Sequence, residues 1–453
     1  MNLKLVSTTF VENRKKVSTQ FFNFQEDNGI ENEAINLYPS MKYQTMEGFG
    51  GALTDSAGYV YSKMSKEQKD KMLNTYYGSD QMNYQIARIP MDSCDFSLEH
   101  YEAMSDKDDT NMDSFSMTRS GKYIFPLLED IQKFSGRILD LMVTPWSPPT
   151  YMKTNGERNH GGKLKPEYQT MWAEYICRYI KEFQKRGYHV TRMSLQNEPN
   201  ATQTWDSCVY TGAEEKAFLK DHMYPALVKN GLSEIEIFIW DHNKERVFER
   251  ACEIIDEETD HMVAGIAFHW YSGDHFEGLD MVTQKFPGKK LIMSEACIEY
   301  CKFSKDDYLA NAQKYGHDII GNLNHGMTAF YDWNIILDEV GGPNHVKNFC
   351  DAPFLFDGDK KLLIEQNILS YIGHFSQYIM PGAVRIGYSK YTDKLEITAF
   401  ANVDKSIDKA GDKSIVAVIL NQTKEWLPAV IRLNGQYTMI YIQPESISTA
   451  IIS

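Results

Sequence analysis

Two glutamates stand at the ends of short apolar runs that are typical of β-strands. The run "VTRMSLQNE" (190–198) ends in Asn197-Glu198 before Pro199, and "KLIMSEA" (290–296) carries Glu295 near its end. A single glutamate at such a place is usually a solvated surface charge. A facing pair has a specific chemical use, because hydrolysis of a glycosidic bond needs one carboxylic acid to protonate the departing oxygen and one carboxylate at the anomeric carbon.

The elements that carry these glutamates belong to a strand–helix pattern that begins near residue 45. Helical stretches such as 65–77 and 166–187 alternate with the apolar runs. Eight strands are predicted, at 46–53, 85–91, 138–146, 190–198, 235–242, 265–271, 290–296 and 327–334. This pattern predicts an α/β fold, a (β/α)8 TIM barrel. A doubly wound sheet is disfavoured, because "GFGGAL" (48–53) has Leu53 where the dinucleotide fingerprint needs its third glycine.

The residues at the strand ends form a set that suits a sugar. In a barrel of this type the active site lies at the carboxyl ends of the strands. The third strand ends in Trp146, the sixth in His269-Trp270-Tyr271 and the eighth in Trp333. Aromatic faces cover the C–H side of a sugar ring, while amide and imidazole groups bond its hydroxyls. We therefore expect His269 and Tyr271 to contact substrate and Trp270 to support the site; core packing is the alternative for each tryptophan.

The barrel also predicts how the two glutamates relate. Strands 4 and 7 lie three apart around the barrel, so Glu198 and Glu295 should face each other across its mouth. We expect a separation of roughly 5 Å, the spacing of retaining enzymes, rather than about 9 Å. A glutamic acid that donates protons near pH 6 needs a pKa nearly two pH units above its ordinary value of about 4.3. We expect burial and the charge of Glu295 to raise the pKa of Glu198 in this way.

The pattern changes near residue 376 to strands separated by polar turns, at 394–402, 414–422, 428–435 and 437–443. Such alternation is typical of antiparallel sheets. The N-terminal segment 3–24 has the same character and no helices. We therefore predict an antiparallel β-sandwich formed by residues 1–40 and 376–453, attached to a catalytic barrel of residues 41–375.

The composition is that of a globular protein, with 42% hydrophobic and 13% aromatic residues in a chain of 453. A formal net charge of −15 disfavours nucleic acid and acidic membrane surfaces as partners and favours a neutral small molecule. The N-terminus lacks the apolar core of a signal peptide and the seven cysteines are scattered, which predicts a cytoplasmic location. Cys297 and Cys301 have no second pair at metal-ligand spacing, so neither a metal nor a cofactor is predicted.

Seven motifs occur together: "RIPMDSCDFS" (88–97), "VTPWSPPTYMKTNG" (143–156), "SLQNEPN" (194–200), "HWY" (269–271), "MSEA" (293–296), "YDWN" (331–334) and "GGPNHVKNF" (341–349). Their order and spacing resemble the glucosylceramidase-like branch of glycoside hydrolase family 30, in clan A. The resemblance implies a barrel with an attached β-sandwich and double-displacement catalysis, with Glu198 as acid/base and Glu295 as nucleophile. It implies that Arg88 and Tyr271 orient the nucleophile. It also implies sugar-binding or pocket positions at Asp95, Trp146, Asn197, Trp333 and Asn348.

Further features of the sequence bear on the substrate. Tyr151 and His345 stand where tryptophan is expected in lipid-active members of that family, which favours short glycosides over glucosylceramide. Long loops follow the third strand (147–166) and the eighth (336–349), and a pocket walled by such loops favours exo-acting removal of a terminal β-D-glucose. A β-xylosidase, a β-fucosidase, an endo-β-1,6-glucanase and a non-catalytic carbohydrate-binding barrel are the alternatives. The oligomeric state is not readable from the sequence.

Overall fold

The computed structural model describes residues 1–403 and 414–453. The chain begins with four strands of an outer sheet: β1 (Asn2–Val11), β2 (Arg14–Asn23), β3 (Gln25–Glu26) and β4 (Ala34–Thr45). The next eight strands form a closed parallel barrel: β5 (Gly48–Ala52), β6 (Ile86–Met91), β7 (Asp140–Pro145), β8 (His189–Ser194), β9 (Glu236–Asn243), β10 (Gly265–His269), β11 (Lys290–Glu295) and β12 (Met327–Asp332). The eight predicted strands and the barrel are confirmed.

Helices follow the barrel strands and pack around them. They are α1 (Asp55–Ser62), α2 (Lys66–Tyr77), α3 (Thr118–Ser135), α4 (Gln169–Gln184), α5 (Gly212–Phe218), α6 (Tyr224–Lys229), α7 (Val247–Ile254), α8 (Phe276–Lys285), α9 (Tyr308–Asn324) and α10 (Asn367–Ser376). The sequence explains where they begin: Ser65 and Gln68 form a capping box at the start of α2, with each side chain bonded to the other's backbone. Among the described residues, no helix is long and apolar enough to cross a lipid bilayer.

A small sheet that the sequence did not predict follows the eighth barrel strand. It contains β13 (Ile336–Asp338), β14 (Phe354–Asp357) and β15 (Leu362–Glu365). β14 pairs in parallel with β13 and antiparallel with β15. Because β13 and β14 flank the segment 339–353, their pairing fixes both ends of a loop that reaches the barrel mouth.

The outer sheet combines both ends of the chain. Its C-terminal strands are β16 (Val384–Lys390), β17 (Leu395–Ala401), β18 (Ile415–Asn421), β19 (Leu427–Leu433), β20 (Gln436–Ile442) and β21 (Ser446–Ile452). Together with the N-terminal strands they give the order β2-β1-β21-β18-β17-β16-β4-β19-β20-β3. The sandwich predicted from the N- and C-terminal segments is confirmed, with one local difference: β4 and β19 pair in parallel.

The outer sheet encloses its own core and is fastened to the barrel. Leu5 of β1 and Ile440 of β20 belong to one buried cluster, although their strands lie near opposite edges of the sheet. The contact with the barrel includes His374 of α10, whose two ring nitrogens lie 2.7 Å from Thr449 Oγ1 and 2.8 Å from Thr8 Oγ1. The domain boundaries after residues 40 and 375 stay a prediction.

Candidate active site

A pocket opens at the carboxyl ends of the barrel strands, where the sequence predicted it. Side chains from strand ends form its floor, and the loops that follow β8, β11 and β12 form its rim. The predicted residues that line it are Asp95, Trp146, Asn197, Glu198, Tyr271, Glu295, Trp333 and Asn348. Residues that the sequence analysis did not assign to the site complete the wall: Gln203, Trp205, His242, Asn243, Cys297, Glu299, Lys302 and Cys350.

Glu198 lies on a turn beyond its strand. The prediction that the strand runs to Glu198 is wrong, because β8 ends at Ser194. Glu198 has a φ of 46°, a left-handed conformation that is uncommon for a residue with a side chain. Its backbone N–H donates to the carbonyl of Asp241 at 3.0 Å, which ties the turn to the end of β9. The turn aims a buried side chain, only 8% exposed, into the pocket.

Glu295 is the last residue of β11 and is held by two donors. Arg88 Nη1 donates to its Oε2 at 2.6 Å, and the Tyr271 hydroxyl donates to its Oε1 at 2.9 Å. Arg88 is fully buried and also donates through Nη2 to Asn197 Oδ1 and to Asp241 Oδ2, each at 2.9 Å. The structure therefore brings Arg88 and Tyr271 to the carboxylate that the resemblance assigned to them.

A series of hydrogen-bonded charged side chains behind the pocket connects Glu198 with Glu295. His269 Nδ1 lies 3.2 Å from Glu198 Oε1, and its Nε2 lies 3.0 Å from Asp241 Oδ1. Asp241 is the partner of Arg88, which reaches Glu295. The expectation that His269 contacts substrate needs correction: its side chain is fully buried behind Glu198 and does not line the pocket.

Burial and neighbouring charges set the pKa values of His269, Glu295 and Glu198. Burial opposes the charged form of His269, but Glu295, Asp241 and Glu198 outweigh it and raise the pKa of the imidazole to about 9. Burial raises the pKa of Glu295, more than His269 and Arg88 lower it. Burial also opposes ionisation of Glu198, yet the imidazoles of His242 and His269 outweigh it and lower the pKa of that carboxyl. The predicted rise in the pKa of Glu198 is thus wrong for the resting site.

The two glutamates are close neighbours. One carboxylate oxygen of Glu198, one of Glu295 and one ring nitrogen of His269 all lie within 4.8 Å of one another. Such a triad could chelate a metal, but hydrogen bonds from Arg88 and Tyr271 already occupy both oxygens of Glu295. The arrangement can donate a proton from one side of a bound molecule and offer a carboxylate on the other.

Two tryptophans form an aromatic floor for the pocket. The rings of Trp146 and Trp333 stack with centroids 5.3 Å apart, and the Arg88 guanidinium lies 4.8 Å from the centroid of Trp146. Trp270 has a different place: it does not line the pocket, packs against Tyr315 with ring centroids 4.6 Å apart, and donates to the carbonyl of Cys297 at 3.1 Å. Trp270 therefore braces the segment that follows Glu295, as a supporting residue would.

The remaining predicted residues supply polar groups. Asp95 is 5% exposed and accepts from Asn348 Nδ2 at 3.3 Å and from Asn344 Nδ2 at 3.4 Å. Burial raises the pKa of Asp95 well above the ordinary range, and the neighbouring Glu295 raises it further. Asn197 uses its Oδ1 for Arg88. Asn197 itself lines the pocket.

The most important residue that the sequence analysis missed is Asp241. It accepts from Arg88, His269, Ser194 and Ser294, and Arg88 and His269 hold the pKa of its buried carboxyl below the ordinary range against burial. A signal was available, because the fifth predicted strand also ends in a polar pair, Asp241-His242. The sequence analysis also missed Gln203 and Trp205, which lie on the loop that follows Glu198. The available signal was an aromatic residue, Trp205, within a polar loop.

An eight-stranded α/β barrel with paired buried carboxylates in an aromatic pocket is typical of O-glycoside hydrolases. Family models match residues 46–379 as the glycosyl hydrolase family 30 TIM-barrel domain and residues 382–450 as the family 30 β-sandwich domain. The chain belongs to glycosyl hydrolase family 30.

Relatives whose names state an activity fall into two groups. The lysosomal acid glucosylceramidase of Mus musculus is 31% identical over 416 residues, covering 88% of this chain and 79% of that protein. An endo-1,6-β-D-glucanase of Neurospora crassa is 26% identical over 421 residues, covering 88% and 86%. Among solved structures, SrfJ from Salmonella typhimurium matches with a TM-score of 0.93 and 34% identity over 100% of this chain and 99% of that one. The chain is therefore a glycoside hydrolase of the β-glycosidase type.

Proposed function

We propose that the protein is a retaining β-glycosidase in which Glu295 is the nucleophile and Glu198 the acid/base. The observation that carries this proposal is the separation of at most 4.8 Å between the nearest carboxylate oxygens of the two residues. Retaining enzymes place their carboxyl groups about 5 Å apart, whereas inverting enzymes leave roughly 6.5–9.5 Å for a water molecule. A nearest-oxygen separation of at most 4.8 Å favours the retaining arrangement.

The bonds that Glu295 makes support its role as nucleophile. Arg88 and Tyr271 each donate to one of its oxygens, which fixes the direction of the side chain. In the first step a Glu295 oxygen bonds to the anomeric carbon, the bond from that carbon to the leaving oxygen breaks, and Glu198 gives a proton to the leaving oxygen. In the second step Glu198 takes a proton from water, the water oxygen bonds to the anomeric carbon, and Glu295 leaves as a carboxylate.

The imidazole of His269 explains how a glutamate with a lowered pKa can act as an acid. The raised pKa of His269, about 9, favours an imidazolium near neutral pH, with one proton on Nε2 facing Asp241 and one on Nδ1 facing Glu198. Transfer of the Nδ1 proton to Glu198 Oε1, across an N···O distance of 3.2 Å, turns the carboxylate into a carboxylic acid and leaves a neutral imidazole. The move leaves the total charge of the site unchanged, so Glu198 and His269 act together as the proton store.

For the substrate, we propose an exo-acting enzyme that removes a terminal β-D-glucose, or a near relative such as β-D-xylose or β-D-fucose, from short glycosides. Asp95, Asn197, Trp146 and Trp333 all line the pocket. We expect the first two to bond hydroxyls of the terminal sugar and the two indole rings to cover its C–H face. A site built around such bonds discriminates strongly against a sugar that lacks the hydroxyl. The cytoplasmic location stays a prediction.

The loop argument for exo action changes in one respect. Loop 336–349 reaches the pocket through Asn348, as expected. The loop 147–166 does not line the pocket; it lies behind the loop that carries Gln203 and Trp205, where Lys153 Nζ donates to the carbonyl of Ser207 at 2.5 Å and His160 N–H donates to that of Gln203 at 2.7 Å. The rear loop supports the wall and does not form it.

The test combines a substrate screen with product analysis. We expect aryl β-D-glucosides to be hydrolysed, and Glu295→Gln to lose at least about nine-tenths of the turnover on every substrate, because no covalent intermediate can form. On a series of β-linked oligosaccharides, single sugars should appear first.

Endo-β-1,6-glucanase activity is the second candidate, because the Neurospora crassa relative carries that name at 26% identity. Release of di- and trisaccharides from mid-chain as first products would favour it over the exo proposal. Retention of more than about a tenth of the turnover in Glu295→Gln would remove Glu295 from its role.

A further inference from the structure

Three loops at the barrel mouth bring two histidines and an aspartate together outside the pocket. His100 Nδ1 lies 3.1 Å from Asp206 Oδ2, and His345 Nε2 lies 3.9 Å from the same oxygen. The two imidazole rings have centroids 4.5 Å apart. One nitrogen or oxygen of each residue lies within 4.8 Å of those of the other two.

His345 presents a lone pair to this cluster. Its Nδ1 lies 3.1 Å from the backbone carbonyl of Ser97, and since a carbonyl only accepts, Nδ1 carries the hydrogen. The Nε2 atom of the neutral ring is then an acceptor; it is buried and makes no hydrogen bond with any residue that the structure describes. An imidazole whose N–H is held by a backbone carbonyl, with its other nitrogen free, is oriented as metal-ligating histidines are.

Asp206 turns a second acceptor toward His345. Its Oδ1 accepts from Arg158 Nε at 2.5 Å and from Ser93 Oγ at 2.8 Å, so the carboxylate is fixed and its Oδ2 is directed at the imidazoles. The Asp206 side chain is fully buried and that of His345 is 9% exposed. Two buried acceptors that face each other at 3.9 Å repel, and a cation between them would remove that repulsion and could replace the contact of Asp206 Oδ2 with His100.

We propose that His100, Asp206 and His345 bind one divalent transition-metal ion, with zinc as the best fit. Tetrahedral zinc with bonds of about 2.0 Å has ligand atoms about 3.3 Å apart, and the distances of 3.1 Å and 3.9 Å bracket that value. Two imidazoles and one carboxylate suit zinc and disfavour magnesium and calcium, which prefer oxygen ligands. The His100 side chain, 40% exposed, leaves a fourth position open to solvent.

The place of the cluster indicates what the ion would do. Each ligand lies on a loop that carries a pocket residue: Asp95 precedes His100, Trp205 is next to Asp206, and Asn348 follows His345. A bound ion would join these three loops and hold the pocket wall, without touching the reacting atoms. Sequence spacing could not reveal the site, because His100 and Asp206 alone are 106 residues apart. The inference does not depend on the proposed substrate.

The test is zinc binding by the full chain after removal of metals with EDTA. Titration calorimetry with zinc chloride, together with metal analysis, should give one zinc per chain with a Kd below about 100 μM, and zinc should raise the Tm. Magnesium chloride should do neither. His100→Ala and His345→Gln should each weaken zinc binding by at least about tenfold.

His160→Ala is the matched control, because His160 is a 57% exposed histidine at the same mouth that pairs only with Glu157 among the described residues. The stoichiometry is repeated in Glu295→Gln, so that zinc at the catalytic carboxylates is distinguished from zinc at the proposed site. Absence of zinc binding in the wild type, or equal binding by His100→Ala and His160→Ala, would overturn the proposal. His100 is solvent-accessible, so its variant keeps the test valid even if His345→Gln does not fold.

Discussion

Replacing Glu295 with glutamine should lower the pKa of His269, because the carboxylate of Glu295 stabilises the charged imidazole. The two groups lie at most 4.8 Å apart, and at that distance, with an effective dielectric constant of about 20, their charges attract by about 3.5 kcal/mol. That energy corresponds to a pKa difference of about 2.5, so the pKa of His269 should fall from about 9 to roughly 6.5. The amide keeps the local bonding, since it can accept from Arg88 and donate to the Tyr271 hydroxyl.

The assay is an NMR titration of the histidine ring signals in protein labelled at histidine, with the His269 signal assigned from a His269→Asn variant. Glu299→Gln is the control, because Glu299 is another pocket carboxylate but is paired with Lys302 at 2.7 Å, and its removal should move the pKa of His269 much less. A fall smaller than about one in Glu295→Gln, or an equal fall in the control, would refute the idea that Glu295 supports the proton on His269. The same fall is expected when Glu295 becomes glycosylated, which would release the acid/base to act as a base.

The remaining predictions concern catalysis. Glu198→Ala should lose activity mainly on poor leaving groups, and azide should release the stalled glycosyl-enzyme; equal losses on dinitrophenyl and alkyl glycosides with no azide effect would count against Glu198. The acid limb of the pH profile of kcat/KM should lie above pH 4.5, because the raised pKa of Glu295 leaves that carboxyl protonated at a higher pH than usual. The alkaline limb should lie near pH 9, where His269 loses its proton. An alkaline limb near pH 6 would contradict this assignment. EDTA should not abolish turnover, because carboxylates do the chemistry; loss that divalent metal restores would show a catalytic metal.

The barrel was predictable because parallel strands covered on both faces appear as continuous apolar runs. β6 is an example, since all six residues from Ile86 to Met91 are buried. Strand ends were less predictable, because the residues of the site lie on turns that interrupt regular pairing. Glu198 at a φ of 46° is such a case, and the sequence carries no signal for that conformation, because a following proline favours an extended residue before it.

The residues that line the site could be predicted from the sequence, but the pKa values of its buried groups could not. Residue type and strand position identified Glu198, Glu295, Trp146 and Trp333, all of which line the pocket. The direction of the pKa of Glu198 could not be predicted, because it depends on the imidazoles of His242 and His269, and His269, 3.2 Å away, is buried behind Glu198 and does not line the pocket. The parallel pairing of β4 with β19 is likewise a contact between segments nearly 400 residues apart, which local patterns do not encode.

The central claim is that the two glutamates act by double displacement. The most direct measurement is proton NMR of the first sugar released from an aryl β-D-glucoside, recorded before mutarotation. A separation of at most 4.8 Å between the carboxylate oxygens predicts that the β anomer appears first. Appearance of the α anomer first would mean a single displacement by water and would contradict the roles proposed for Glu198 and Glu295.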